Sequence, residues 1–417
     1  MRFANGVRLL LKRTDFAADE VRVRVRVGTG RLGVTAAQAP GLWQVNGVAP
    51  LLRLGGTREL TYEDIERLTV GNRVGLSQSL EDDAFQLDGN TTQSDFDRQL
   101  QLLQATITSP GLRTAAFERV RGALLNQLPQ VEATASGMLG RAFGPALHGG
   151  DRRWQGRPDG PTLAQAGPGD LAGLIGPAFA GGPIELVVVG DIDPARVIDA
   201  AARSFGALPT RAPRQPPGPA AEGVRFPAPG TPPLIVPHAG RADQAMALLA
   251  WPTTDFFADP QGQRVLATMA EILQTRLTDR LRTADGVTYS PQVGAVSSDV
   301  FIGVGHVYAV VETPVDKIDV FYTALDELVH AMQAAPADED ELQRAKRPRI
   351  DARRKRLREN SYWLSALSSA QGDRRHFDAI RELVSGSEKV TAAEVQAAAR
   401  KYLVGERAFR LIVRPKG

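Results

Sequence analysis

Apolar and polar residues alternate strictly over Val21-Arg22-Val23-Arg24-Val25-Arg26-Val27, a period of two that predicts a strand with one aliphatic face and one face carrying three Arg. A first strand precedes it around Val7 to Lys12. After a gap, Ser94 caps an amphipathic helical run with Phe96, Leu100, Leu103 and Ile107 on one face. A longer charged helix follows over Leu112 to Gln130, and a strand over Ile184 to Val189 closes the series. The same order recurs further on. Leu234 to Val236 and Ala245 to Trp251 read as strands, and Thr313-Pro314 opens a helix with Ile318, Phe321, Leu325, Leu328 and Met332 on one face. Asp338 to Glu359 is the second long charged helix, and Phe409 to Val413 the second closing strand. The offset between the series is about 225 residues, which argues for a duplicated unit. Between them Pro209 to Pro233 is too rich in proline for regular helix or a paired strand and reads as a linker. The expected organisation is a first repeat over 1–208, a linker over 209–233 and a second repeat over 234–417. The expected fold class is α+β, each repeat a mixed, largely antiparallel sheet with helices packed on one face.

Composition narrows the function classes more than it suggests one. The 417 residues carry a formal charge of only +3, so nucleic acid is not indicated. No cysteine is present, which excludes disulfides, thiolate metal sites and a Cys nucleophile. The apolar run Val7 to Leu11, broken by Arg8, is too short for a signal peptide, and no stretch approaches membrane-spanning length. Membrane insertion is therefore not expected, and either cytoplasm or an oxidising periplasm fits. Of the 50 basic residues seven are Lys and the rest Arg, a usage typical of GC-rich bacterial coding.

Three features invite chemistry and lose it on inspection. Gly28-Thr29-Gly30-Arg31-Leu32-Gly33 matches the dinucleotide pattern, but its strand alternates Val with Arg, Pro40-Gly41 interrupts the helix that should follow, and Arg53 stands where an acid is required. A glycine-rich turn is the expected reading. His148, His238, His306, His330 and His376 have no second His or Glu at helix-face spacing, so no local zinc pair exists. No G-x-S-x-G elbow singles out a serine. The basic run Arg344 to Arg358 is bracketed by Asp338, Glu339, Asp340, Glu341 and Glu359, the pattern of a solvated helix face. The helix Gln261 to Leu281 is different, because its core face runs directly into Arg282-Thr-Ala-Asp-Gly-Val-Thr-Tyr289 and then a strand from Val293 to Val296.

At these residues the chain resembles the M16 metallopeptidases (pitrilysin-type, inverzincin), specifically their non-zinc half. The resemblance extends over essentially the whole chain, including Gly190-Asp191-Ile192-Asp193 after the closing strand and Gly41-Leu42 in the first repeat. It implies two homologous domains of the LuxS/MPP type. In that family two halves close as a clamshell, one carrying HxxEH and a distant Glu, the other an Arg and a Tyr seven residues apart. Arg282 and Tyr289 have that spacing. The zinc motif is lost: Trp43-Gln44-Val45-Asn46-Gly47-Val48 puts Gln44 and Val48 at the His positions and Gly47 at the base, and Ala123 to Gln127 offers no acid. The resemblance thus implies no cofactor in this chain, zinc in a partner bearing HxxEH, and a peptide substrate. Arg282 and Tyr289 would hydrogen-bond the scissile carbonyl or the substrate backbone from across the chamber. In the same architecture Arg22, Arg24 and Arg26 face the chamber wall, an expected positive surface for acidic peptide segments. The alternative implied by the family is a structural relative that binds without catalysing.

Overall fold

The structure, a computed structural model, describes residues 1–46, 49–285, 290–370 and 372–416. The first series begins with β1 (Arg8–Arg13) and β2 (Val21–Val27), then β3 (Ser77–Leu80) and β4 (Phe85–Thr91). Helices α1 (Phe96–Thr108), α2 (Thr114–Glu132), α3 (Ala135–Leu147) and α4 (Asp170–Gly181) lead to β5 (Ile184–Gly190) and α5 (Pro194–Arg203). The second series runs β6 (Leu234–His238), β7 (Ala245–Pro252), α6 (Pro260–Asp285), β8 (Gln292–Ser297), β9 (Gly305–Thr313), α7 (Ile318–Ala334), α8 (Glu339–Arg356), α9 (Asn360–Ala370), α10 (Ala392–Tyr402) and β10 (Phe409–Pro415). At the start of α1 the N-cap is Asp95 rather than Ser94, and its carboxylate accepts from the Asn72 side chain and the Arg73 backbone N–H.

The strands form two five-stranded sheets with one topology. The orders are β1-β5-β2-β4-β3 and β6-β10-β7-β9-β8. In each, one edge pair is parallel (β1 with β5, β6 with β10) and the other pairings are antiparallel. The sheets are therefore mixed and largely antiparallel, and the repeated strand order is the duplication that the sequence offset predicts.

The two compact units are not contiguous in sequence. One comprises Met1–Asn126, Gly156–Gly218 and Lys355–Ile380; the other Gln127–Gln155, Pro219–Arg354 and Arg381–Gly417. Each thus takes a segment from the other series, and each segment supplies a helix to the sheet face opposite the main helical layer. In the first unit α9 packs on β5 and β2, with Leu364 and Leu367 against Val187 and Val189. In the second α3 packs on β6, β7 and β10, with Leu139 and Leu147 in one cluster with Leu248, Leu411 and Val413. The main layer of the second unit, α6, α7 and α10, covers the other face through Leu249, Trp251, Val307 and Val311.

The glycine pattern after β2 is a turn. Gly28 and Gly30 have φ of 71° and 53°, and a Cβ on Gly30 would meet Ala84 N at 2.3 Å and Glu81 O at 2.4 Å. The residues serve a tight backbone crossing, the glycine-rich turn that the sequence suggests.

Beside α3 the second sheet carries a buried histidine. His306 on β9 is 4% exposed, its Nε2 has no hydrogen-bond partner among the described residues, and its ring lies near those of Phe143 (5.9 Å), Tyr308 (6.0 Å) and His148 (6.2 Å). Burial, and secondarily the proximity of His148, push its pKa down from 6.5 to about 4. A folded-state pKa below the unfolded one means that the unfolded chain binds more protons in this window. The His306 contribution is fully present above about pH 6.5 and is lost as pH falls toward 4, about 3 kcal/mol in all. Urea unfolding at pH 7 and pH 4.5 should show a steeper loss for the native chain than for His306→Phe; equal slopes would contradict this.

Candidate active-site segment

The segment that carries Arg282 is built on a helix held from three sides. In α6, Val265, Met269, Ile272, Leu273, Leu277 and Leu281 are all buried, the i, i+3/i+4 stripe that fixes its rotation against the sheet. Arg276 forms a bidentate pair with Glu341 of α8, both contacts at 2.6 Å, and Arg280 reaches Glu327 of α7 at 3.0 Å. The Arg276 pair is mostly shielded from solvent, and the Glu341 hydrogen bonds raise the guanidinium's pKa against the opposing effect of burial. Arg282 stands exposed in the last turn of α6, where the helix dipole favours a cation. Tyr289 lies outside the described residues.

Gln274, a residue the sequence reading passed over, closes the base of this segment. Its side-chain amide donates to Pro291 O at 2.7 Å and accepts from the Val293 backbone N–H at 2.6 Å. Nothing in a hydrophobic pattern marks such a residue, since a helix Gln is usually solvated. Next along β8, Gly294 lets the Tyr308 ring of β9 lie over the edge strand: a Cβ there would fall 2.7 Å from Tyr308 Cε1.

Of the residues that the resemblance aligns with the zinc motif, Gln44 is described, and it is buried beside Trp43. Ala39–Gln44 is a 3-10 helix, with Trp43 and Gln44 buried at 2% and 0% exposure. Trp43 meets Phe117 of α2 at 6.0 Å between ring centroids. The Gln44 amide has no partner for either its nitrogen or its oxygen among the described residues. Gly47 and Val48 lie outside the described residues. A buried, unpaired amide is costly, so Gln44→Leu should raise stability by about 1–3 kcal/mol in urea unfolding. A loss of similar size would show that the amide has a partner after all. Among the described residues no three His, Asp or Glu side chains converge, and the Gln44 amide is not a zinc-type donor.

The expected positive wall is corrected. Arg22, Arg24 and Arg26 do share the face opposite their valines, but that face is neutralised and α9 packs on it. Arg22 pairs with Glu20 at 2.6 Å. Arg24 lies directly across from Asp88 of β4 and makes two bonds to it at 2.8 Å, with Ser365 and Ser368 of α9 beside it. Arg26, 3% exposed, bonds Glu185 at 2.9 Å, Asp83, and the Ser368 backbone oxygen at 2.6 Å. Arg214 adds a second cation, its Nε 3.0 Å from Glu185 Oε1. Burial works to raise the pKa of the Asp83 carboxyl, yet the charges of Arg26 and Arg214 hold it below the ordinary value. These guanidiniums hold the fold together and leave no free charge for a peptide. Strand alternation located the face; the acids opposite, scattered over 83, 88 and 185, become partners only through the sheet register.

Residues 179–348 match the family described as Peptidase M16 inactive domain. No curated protein sequence matches this one. The chain is similar over its whole length to the solved peptidase M16 inactive domain from Pseudomonas fluorescens, at 16% identity and a TM-score of 0.77, covering 98% of that structure. It is similar over 99% of its length to 45% of the periplasmic protease PqqL from Escherichia coli, at 15% identity and a TM-score of 0.80. It is also similar over its whole length to 44% of the ferredoxin protease FusC, solved in complex with Arabidopsis ferredoxin, at 16% identity and a TM-score of 0.78. It therefore spans less than half of either protease. The inactive type of domain is consistent with a chain that holds no zinc, and no helix among the described residues is long and apolar enough to cross a membrane. Residues 179–348 of this chain are thus of the M16 inactive-domain type, and the chain as a whole has the fold of the solved M16 peptidase halves.

Proposed function

We propose that this chain is the zinc-less half of an M16 metallopeptidase, acting with an HxxEH-bearing partner as a heterodimer or as one part of a fused chain. The observation that carries this reading is the coverage: the whole chain corresponds to 45% of PqqL and 44% of FusC, one half of a larger peptidase in each case. The partner binds zinc and activates water. This chain closes the peptide chamber and brings Arg282 and Tyr289 to the substrate, where a guanidinium and a phenol donate hydrogen bonds to the peptide carbonyl as negative charge develops on its oxygen. The exposure of Arg282 at the end of a braced helix suits that role, because a donor that must meet a substrate gains from a fixed base and a free tip. The substrate is a peptide or an unfolded protein segment.

The test is reconstitution. An HxxEH-bearing M16 half from the same source is assayed on a quenched fluorogenic peptide library, alone and with this chain added. Turnover that depends on stoichiometric addition supports the proposal. Full turnover by the HxxEH half alone overturns it in favour of a non-catalytic relative.

A further inference from the structure

The basic run Arg344 to Arg358 is bracketed by acids, but the structure shows that these do not offset its far end. The Asp338 carboxylate accepts from the Glu341 N–H at 2.8 Å, Glu339 accepts from Gln343 at 2.7 Å, Asp340 pairs with Arg344 at 3.1 Å, and Glu341 is held by Arg276. Farther along α8, Asp351 and Glu388 both go to Arg354, at 3.5 Å and 2.6 Å. Lys355, Arg356 and Arg358 remain exposed, and among the described residues their side chains make no ion pair or hydrogen bond. Glu359 is the one acid of the bracket left beside them.

Trp363 of α9 joins a second, sequence-distant set of cations to these. Its indole N–H donates to the Leu357 carbonyl at 2.8 Å, between Arg356 and Arg358 in the chain, and the Lys12 ammonium of β1 lies 4.1 Å from the centre of its ring. β1 is the edge strand of the first sheet, and strand alternation puts Arg8 and Lys12 on the face where Leu10 and Trp363 pack against Leu364 and Leu367 of α9. Arg2 stands opposite Arg8 across an antiparallel bridge, and residues so paired share a face. Arg2 is exposed, and among the described residues its side chain has no ion pair or hydrogen bond. Arg8 meets Glu185 at the longer distance of 3.9 Å. From Arg8 to Lys12 is about 13 Å along the strand. All of these residues belong to the first compact unit.

We propose that Arg2, Lys12, Lys355, Arg356 and Arg358, gathered around Trp363, form a docking surface for a polypeptide segment rich in Asp and Glu. Charge complementarity carries the choice of partner. Asp15 and Glu359, the acids nearest in sequence, leave the surface with an excess of base, and the planar guanidinium of Arg takes a carboxylate through two parallel hydrogen bonds. A nucleic acid would call for a positive track that follows its phosphates, whereas the arginines of the neighbouring β2 are neutralised by Glu20, Asp88, Asp83 and Glu185. Peripheral binding to a bilayer draws on an exposed apolar helix face beside the basic residues, whereas Trp363 is half-buried with Lys12 over its ring.

The experiment measures binding of the full chain to fluorescein-labelled oligo-glutamate by anisotropy, at low and at physiological ionic strength. Binding should be detectable at low salt and weaken as salt rises. Reversing Lys355, Arg356 and Arg358 together to Glu should raise Kd at least about tenfold, and Arg2→Glu should raise it by about threefold, since the β1 edge is part of the same surface. Reversing Arg58, Arg73 and Arg119, exposed residues of the same unit on other elements, changes the net charge equally and should leave Kd within about twofold, because charges beyond a screening length contribute little. Urea unfolding checks that each variant folds, and Arg356→Ala serves if the triple reversal does not. Equal losses in the two triple variants would reduce the effect to net charge and overturn the proposal. An unchanged Kd in Arg2→Glu would overturn the joined surface. No binding of oligo-glutamate, or tighter binding to vesicles of equal phosphatidylcholine and phosphatidylglycerol or to single-stranded oligothymidine, would overturn the choice of an acidic polypeptide.

Discussion

Replacing Glu185 by Leu should destabilise the first unit by about 3–5 kcal/mol, the cost of leaving buried charge uncompensated. Glu185 is 1% exposed on an otherwise aliphatic strand, IELVVVG, where only a structural demand would keep a carboxylate. Its oxygens face Arg26 at 2.9 Å and Arg214 at 3.0 Å, with Arg8 at 3.9 Å. Leu fills the space but leaves Arg26 and Arg214, whose side chains are 4% and 8% exposed, to share Asp83. The effect should reach α9, since Arg26 also holds the Ser368 carbonyl of that helix. Adding Arg26→Met to Glu185→Leu should recover part of the loss, because an apolar pair can replace a buried ion pair at little cost. Urea unfolding of the single and double variants checks this. A single variant as stable as the native chain, or a double variant worse than the sum of its parts, would contradict it.

The parts of the fold legible in the sequence are those set by short-range periodicity. The Val/Arg alternation of β2, the stripes of α1 and α7 and the equal offset of the closing strands were sufficient for two repeated units with mixed, largely antiparallel sheets, whereas the strand order within them was not legible. The exchange of α3 and α9 was not legible, because an amphipathic helix such as Asn360–Ala370 shows which residues it buries and not which sheet receives them. The same limit governed the arginines. Alternation placed Arg22, Arg24 and Arg26 on one face, but Asp88 and Glu185 reach that face through pairings 64 and 159 residues apart. At the candidate site the family resemblance singled out Arg282, whereas the contacts of Gln274 with Pro291 and Val293 depend on β8 lying beside α6, which no sequence pattern encodes.

The second large effect concerns the reaction. Arg282→Ala and Tyr289→Phe each remove one donor while leaving the zinc half untouched, so each should lower kcat about 10²- to 10³-fold, the usual consequence of losing one preorganised donor to a developing oxyanion. Tyr289→Phe is the cleaner change, since it deletes one hydroxyl and keeps the ring. Arg282→Lys should recover little, because an ammonium does not reproduce the planar fork of a guanidinium. Arg282→Ala should alter the stability of this chain little, as Arg282 is exposed.

One measurement bears most directly on the division of labour between the halves: turnover of the reconstituted complex carrying Tyr289→Phe, with bound zinc determined in the same sample. Activity reduced at least about a hundredfold at full zinc occupancy is the predicted result, whereas undiminished turnover would contradict the contribution of this chain to the active site.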